Sequence, residues 1–150
     1  MQKAINIGID ILAEDAKAFI LSARYGKKES LELLITHLKE SEKTNVLRHC
    51  FLESCSYNQR EIIDYLIDNY LDYLNAEEME ENAFKSCVIG GSNEMLLYLS
   101  AKHGFIVTKE LLDWVMKNDY NEAYLKVEII LLNQKLNNKS SIKNKETIKI

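Results

Sequence analysis

The chain has 150 residues, 47% of them hydrophobic and 28% charged, with a formal net charge of −4. That length supports one ordinary domain with a buried core. The absence of proline, with only 5 glycines, argues against β-sandwiches and barrels, whose closely spaced turns need both residues, and leaves a succession of helices as the expected all-α architecture.

Residues 4–12 are ambiguous, because Ile5, Ile7, Ile9 and Ile11 alternate like a strand while Ile5, Ile9 and Leu12 also share one helical face. A lone strand would be unpaired, so residues 1–15 are expected to form a helical N-terminal cap. From about residue 13 to 133 apolar residues recur at spacings of three and four, the amphipathic-helix pattern. Candidate caps divide this stretch: Thr44 or Asn45 before a helix near 45–56, Asn75 before 76–89, Ser92 before 93–102, Thr108 before 109–118 and Asn121 before 122–135. Breaks are expected at Gly26, Asn58, Gly90–Gly91 and Asp119–Tyr120. Beyond residue 133 the chain turns to Asn, Lys and Ser with few apolar anchors, so 137–150 is expected to be a flexible basic tail. Charge is uneven along the way: residues 53–81 hold Arg60 alone against a run of Asp and Glu, and the tail is lysine-rich.

A unit recurs along this helical stretch. Phe19, Ser22, Ala23, Gly26, Glu29, Leu31, Leu33 and Leu34 mark the first copy, and Phe51, Ser54, Cys55, Asn58, Glu61, Ile63, Tyr65 and Leu66 the second. The third runs through Ala83, Ser86, Cys87, Gly91, Glu94, Leu96, Tyr98 and Leu99. A weaker fourth has Leu112, Val115, Met116, Asp119, Glu122, Tyr124 and Leu125. Each unit is a short helix with small residues where its neighbours approach, a turn able to take positive φ, and a longer second helix. One such pair cannot bury its own apolar face, so three or four must stack.

These residues resemble the ankyrin-repeat family, whose units have a similar length and carry a small–small pair, a glycine three positions on, then Glu and a Leu-rich second helix. Asn58 to Ile67 match best, with Glu61 to Ile67 following the second-helix pattern, and Glu94 to Leu99 followed by His103–Gly104 is similar. The resemblance implies a short α-solenoid of three to four ankyrin-like helix–turn–helix repeats over residues 16–136. HEAT-like or irregular α-solenoid stacking is the alternative. The family's Thr, Pro, Leu, His opening is missing, since Lys17, Ala18, Phe19 and Ile20 stand there in one copy and His49, Cys50, Phe51 and Leu52 in the next. Links at 39–44 and 75–81 lack glycine, so longer first helices are expected in place of projecting hairpins.

Chemistry is sparse. Cys50, Cys55 and Cys87 lie in helical patterns without Cys-x-x-Cys spacing, which points to free buried thiols, with no metal and no cofactor. Gly90-Gly91-Ser92 follows no strand and precedes no Lys-Ser/Thr, so it is expected to be a turn, and Glu77, Glu78, Glu80 and Glu81 suit a helix start. Nothing places His37, His49 or His103 beside a nucleophile, and no enzyme is expected. The family's mode of action implies that the first-helix face binds another protein. Position by position that face comprises Lys17, Ile20, Leu21 and Arg24, then His49, Leu52, Glu53 and Ser56, then Asn82, Lys85 and Val88, with Tyr25 and Tyr57 on the open side.

The expected function is a non-enzymatic protein-binding module. A composition rich in Ile, Asn and Lys suggests an AT-rich genome and a bacterial or viral effector or adaptor that occludes its partner. The alternative is an acidic decoy: Glu61, Asp64, Asp68 and Asp72 form a stripe on helical spacing that would mimic nucleic acid and inhibit a nucleic-acid-binding defence enzyme. The acidic middle makes direct nucleic-acid binding unfavourable. With no apolar window of membrane length and no leader pattern, the protein is expected in the cytoplasm, of a host if secreted, and self-association into a homo-oligomer is a further expectation.

Overall fold

A computed structural model describes residues 13–147. The described residues are all-α, with eight helices and no strand. They are α1 (Ala13–Arg24), α2 (Lys28–Ile35), α3 (Glu40–Ser56), α4 (Arg60–Leu74), α5 (Ala76–Gly90), α6 (Asn93–His103), α7 (Lys109–Lys117) and α8 (Asn121–Thr147). Of the cap expected over residues 1–15, residues 1–12 lie outside the described residues and residues 13–15 begin α1. Two compact units divide between Ser92 and Asn93.

In the first unit α1 packs on α2 and α3, α3 on α4 and α5, and α4 touches α5. The helices α1, α3 and α5 therefore form a row, with α2 against the first and α4 against the second. The row is held by Phe19, Phe51 and Phe84, all fully buried, and by Leu31, Leu34, Ile63 and Leu66 from the helices beside it. Burying one such side chain contributes about 1.5–3 kcal/mol. In the second unit α6 and α7 each pack on α8, through Leu96, Leu99, Leu111, Val115, Val127 and Ile130.

One turn geometry occurs four times. The N–H groups of Gly26, Asn58, Gly91 and Asp119 donate to the carbonyls of Ala23, Cys55, Val88 and Met116, and those of Lys27, Gln59, Ser92 and Tyr120 to the carbonyls of Ser22, Ser54, Cys87 and Val115. This pair of bonds is the Schellman motif, which satisfies the last carbonyls of a helix and requires a left-handed residue. Gly26, Asn58, Gly91 and Asp119 all have positive φ, between 57° and 73°. These are the expected break positions, and at Gly90–Gly91 the two glycines divide the work: Gly91 takes the positive φ, while Gly90 is the last residue of α5. A Cβ on Gly90 would lie 2.3 Å from the Ser56 carbonyl oxygen and 2.7 Å from the Ser56 Cα, so this glycine is required by the approach of α5 to α3.

The small pairs serve the same approach. Ala23, Ser54, Cys55 and Cys87 are fully buried, and Ser22 nearly so. The hydroxyls of Ser22 and Ser54 are satisfied by donating to Ala18 and Cys50, each at 2.8 Å and one helical turn back. Neighbouring pairs are tied by one recurring bond. Gln59 Nε2 donates to the Arg24 carbonyl at 2.8 Å, and Ser92 Oγ to the Ser56 carbonyl at 2.5 Å. Each bond runs from just past one turn to the last residue of an earlier helix, Arg24 of α1 or Ser56 of α3.

Helix starts follow expectation at Asn75, Ser92 and Thr108, where Thr108 Oγ1 accepts from the Leu111 N–H at 3.2 Å. The third helix differs. It begins at Glu40 instead of after Thr44 or Asn45, because the Glu42 carboxylate accepts from the Lys39 N–H at 3.2 Å and provides half of a capping box. The link expected at 39–44 is thus its first turn, as the missing glycine suggested. The last helix also differs: α8 continues through Thr147 instead of giving way to irregular chain after residue 136. No glycine or proline interrupts it, and Ser140 and Ser141 return their hydroxyls to the carbonyls of Leu136 and Asn137. No helix among the described residues is long and apolar enough to cross a membrane.

Candidate functional site

The face of the α1–α3–α5 row carries the residues assigned to partner binding. Ile20, His49, Leu52, Glu53 and Ser56 surround one pocket of about 160 Å³, which Ser86 completes. Ile20 and Leu52 are half-buried, supplying an apolar floor, while His49 is exposed at the rim. The His49 Nδ1–H donates to the Asn45 carbonyl at 2.9 Å, which leaves Nε2 as the acceptor of the neutral ring.

One edge of the pocket is organised by charge. The Arg24 guanidinium forks onto both oxygens of Glu53 at 3.2 Å and lies 4.9 Å from the Tyr57 ring centroid. The hydrogen bonds that Arg24 donates to Glu53 hold its guanidinium above its already high range, against a smaller opposing effect of desolvation. Tyr57 and Tyr25 are exposed beside their turns, as expected of residues on the open side. At the other edge Ser56 Oγ donates to the Ser86 carbonyl at 3.1 Å.

The remaining assigned positions are less uniform. Lys17 and Asn82 are exposed, and Leu21 is half-buried. Lys85 pairs with Glu81 one turn earlier. Val88 is a correction: at 3% exposure it belongs to the core, because the close seat of Gly90 on Ser56 draws the end of α5 against α3. Ser86 is the pocket residue that sequence reasoning left out. Its equivalents Ser22 and Ser54 are buried between helices, whereas Ser86 sits on α5, the last helix of the row in this unit, and stays half-exposed.

The acidic stripe on α4 is broken. Tyr70 leaves helical geometry at φ −137° and ψ 25°, so the register linking Glu61, Asp64 and Asp68 does not run on to Asp72. Lys28 Nζ stands 3.7 Å from the Glu61 carboxylate and 3.9 Å from that of Glu32. Asp64 is half-buried, and Asp68 and Asp72 are exposed.

The cysteines are buried and unpaired in disulfides. Desolvation pushes the Cys50 thiol up to about 12, and burial together with the Cys87 hydrogen bond raises Cys55 well above its ordinary range. Burial of this kind favours the protonated thiol over the thiolate that attacks or ligates, and no group of three or more His, Cys, Asp or Glu side chains is placed to hold a metal ion among the described residues. The second unit has a larger cleft of about 580 Å³, lined in part by Leu97, Phe105, Ile106, Ile130 and Leu136. There the Gln134 amide spans the backbone N–H and carbonyl of Val107, both at 2.9 Å, and fastens the irregular link before α7 to α8.

Comparison with protein-family models, with curated proteins and with solved structures finds no match to this chain.

Proposed function

We propose that the chain is a non-enzymatic protein-binding module of degenerate ankyrin-like helix pairs that occludes a partner protein with its α1–α3–α5 face. The observation that carries this is the convergence of Ile20 from one helix and His49, Leu52, Glu53 and Ser56 from the next on a single pocket, at positions matched by their place in the repeat. The four Schellman turns and the recurring Gln59 and Ser92 bonds support the repeat reading. At about 160 Å³ the pocket is well below the ~300–1,000 Å³ of sites that enclose small molecules. It suits one side chain of a protein partner, an apolar anchor ringed by Arg24, His49 and Tyr57. Glu53 is engaged by Arg24, and Ser56 and His49 Nδ1 by carbonyls, so no nucleophile stands beside a base there. The setting we infer is the cytoplasm of a bacterium, or of a host cell if the chain is an effector or a viral protein.

The acidic-decoy alternative draws on exposed Asp68 and Asp72, but the break at Tyr70 and the Lys28–Glu61 pair weaken the continuous charge that it needs. A photo-crosslinking amino acid placed at His49 or at Asp68 in the producing cell or its host separates the two. Cross-linking to one protein from position 49 and not from 68 is the expected result. Cross-linking from 68 alone would favour the decoy.

A further inference from the structure

The last helix is apolar on two opposite faces. Ala123, Val127 and Ile130 are buried within the second unit, and Gln134 continues that row onto the Val107 backbone. A second row stands about 160° around the helix at 100° per residue: Leu125, Ile129, Leu132 and Leu136, which are 61%, 48%, 53% and 61% exposed. Its spacings of four, three and four are those of a helix–helix seam. Monomeric proteins rarely leave a contiguous row of large aliphatic side chains in water.

We propose that this outer face of α8 pairs with the same face of a second copy, antiparallel, about a twofold axis midway between Ile129 and Leu132. The charges that bound the row select both occupant and direction. One step before Leu125 on the same face lies Glu122, and one step beyond Leu136 lies Lys139, both exposed. In the antiparallel pairing Leu125 opposes Leu136 of the second copy, Ile129 opposes Leu132, and Glu122 opposes Lys139 at each end. The flanks agree: Glu128 faces Lys135 of the second copy on one side, and Lys126 faces Asn133 on the other, with Lys126 drawn aside by its 2.6 Å bond to Glu94. A parallel pairing would instead set Glu122 against Glu122 and Lys139 against Lys139. The twofold arrangement makes the surface its own complement, as an isologous dimer requires.

The seam from Glu122 to Lys139 is about 27 Å long at 1.5 Å per residue. This places the interface near the lower end of the ~1,200–2,000 Å² of stable complexes, so the dimer is expected to dissociate in the range of roughly 1–100 µM. Sedimentation velocity across that range, on the full chain, tests the proposal. Wild type is expected to pass from monomer to dimer with concentration. Leu132→Glu, at a site 53% exposed in the single chain and so expected to keep its helix content, is expected to stay monomeric. Glu122→Lys and Lys139→Glu are each expected to raise the dissociation constant by roughly five- to tenfold, since each turns two attractive pairs into repulsive ones. The double swap is expected to return it to within about threefold of wild type. A parallel dimer would be indifferent to all three charge variants, and that result overturns the proposal. So does a wild type that stays monomeric, including one that instead sediments with vesicles of phosphatidylcholine and phosphatidylserine, and so does a dimer unaffected by Leu132→Glu.

Discussion

Gly90 and Gly91 are adjacent and serve different physical needs, so alanine tells them apart. At Gly91 the cost is that of a left-handed Cβ, about 1–2 kcal/mol. At Gly90 alanine favours the helix by up to about 1 kcal/mol, but its Cβ meets the Ser56 backbone, and overpacking of that kind costs about 1–3 kcal/mol or more. Denaturant unfolding should show both variants destabilised, and a Gly90→Ala protein as stable as wild type would contradict the close seat of α5 on α3. The cysteines give a second residue-scale test. With Cys50 near 12 and Cys55 well above its ordinary range, a thiol-specific chromophoric reagent at pH 8 should react only as fast as the protein opens, with all three groups released together in denaturant. Glu40 gives a third. The Lys43 hydrogen bond, and after it that of the Tyr73 hydroxyl, hold its carboxyl below the ordinary 4.5. The folded state then binds fewer protons than the unfolded one, so this contribution is present above about pH 4.5 and lost as the pH falls through the lower folded value. Glu40→Gln should flatten the dependence of the melting temperature on pH in that acidic window.

The elements were legible wherever one residue alone decided them. Gly26, Asn58, Gly91 and Asp119 each occupy the left-handed position of a turn, and a small polar or glycine residue after an apolar run is a direct signal for that. The start of α3 was not legible, because its cap is a Glu42 carboxylate reaching back to the Lys39 N–H rather than a Ser or Thr in front of the helix. Nor was the break at Tyr70, which falls inside an unbroken run of good spacing and cuts the acidic row that the spacing implied. The far end of α8 shows a different limit. Residues 137–141 are exposed, in keeping with their lack of apolar anchors, yet burial and helicity are separate, and a chain free of glycine and proline continues a helix that packing has already nucleated. Amide hydrogen exchange should therefore divide α8, with slow exchange at Ala123, Val127 and Ile130 and fast exchange beyond residue 136. Uniform protection to Thr147 would contradict that division.

At the scale of the whole molecule the first unit sets the account. Its helices α1, α3 and α5 stand in a row because Ala23, Ser54, Cys55, Cys87 and Gly90 let their backbones approach, and Phe19, Phe51 and Phe84 fill what remains. Phe51 is central, on the helix that both others touch. Phe51→Ala should cost about 3–5 kcal/mol in calorimetry or denaturant unfolding. Five of the six residues that line the pocket were legible from the 32-residue spacing that relates Ile20 to Leu52 and Arg24 to Ser56. Ser86, the sixth, and Val88 are displaced because α5 is the last helix of the row in its unit and meets its neighbour through a glycine. The claim that this face binds a protein is tested most directly by retention of partners on immobilised chain from a lysate of the source cell or its host, in rising salt, with Leu52→Arg alongside wild type. The account predicts a protein that persists on wild type through high salt and is lost from Leu52→Arg, while Asp68→Asn with Asp72→Asn retains it. Retention that falls steeply with salt, is unaffected by Leu52→Arg and disappears with the Asp68 and Asp72 changes would contradict it.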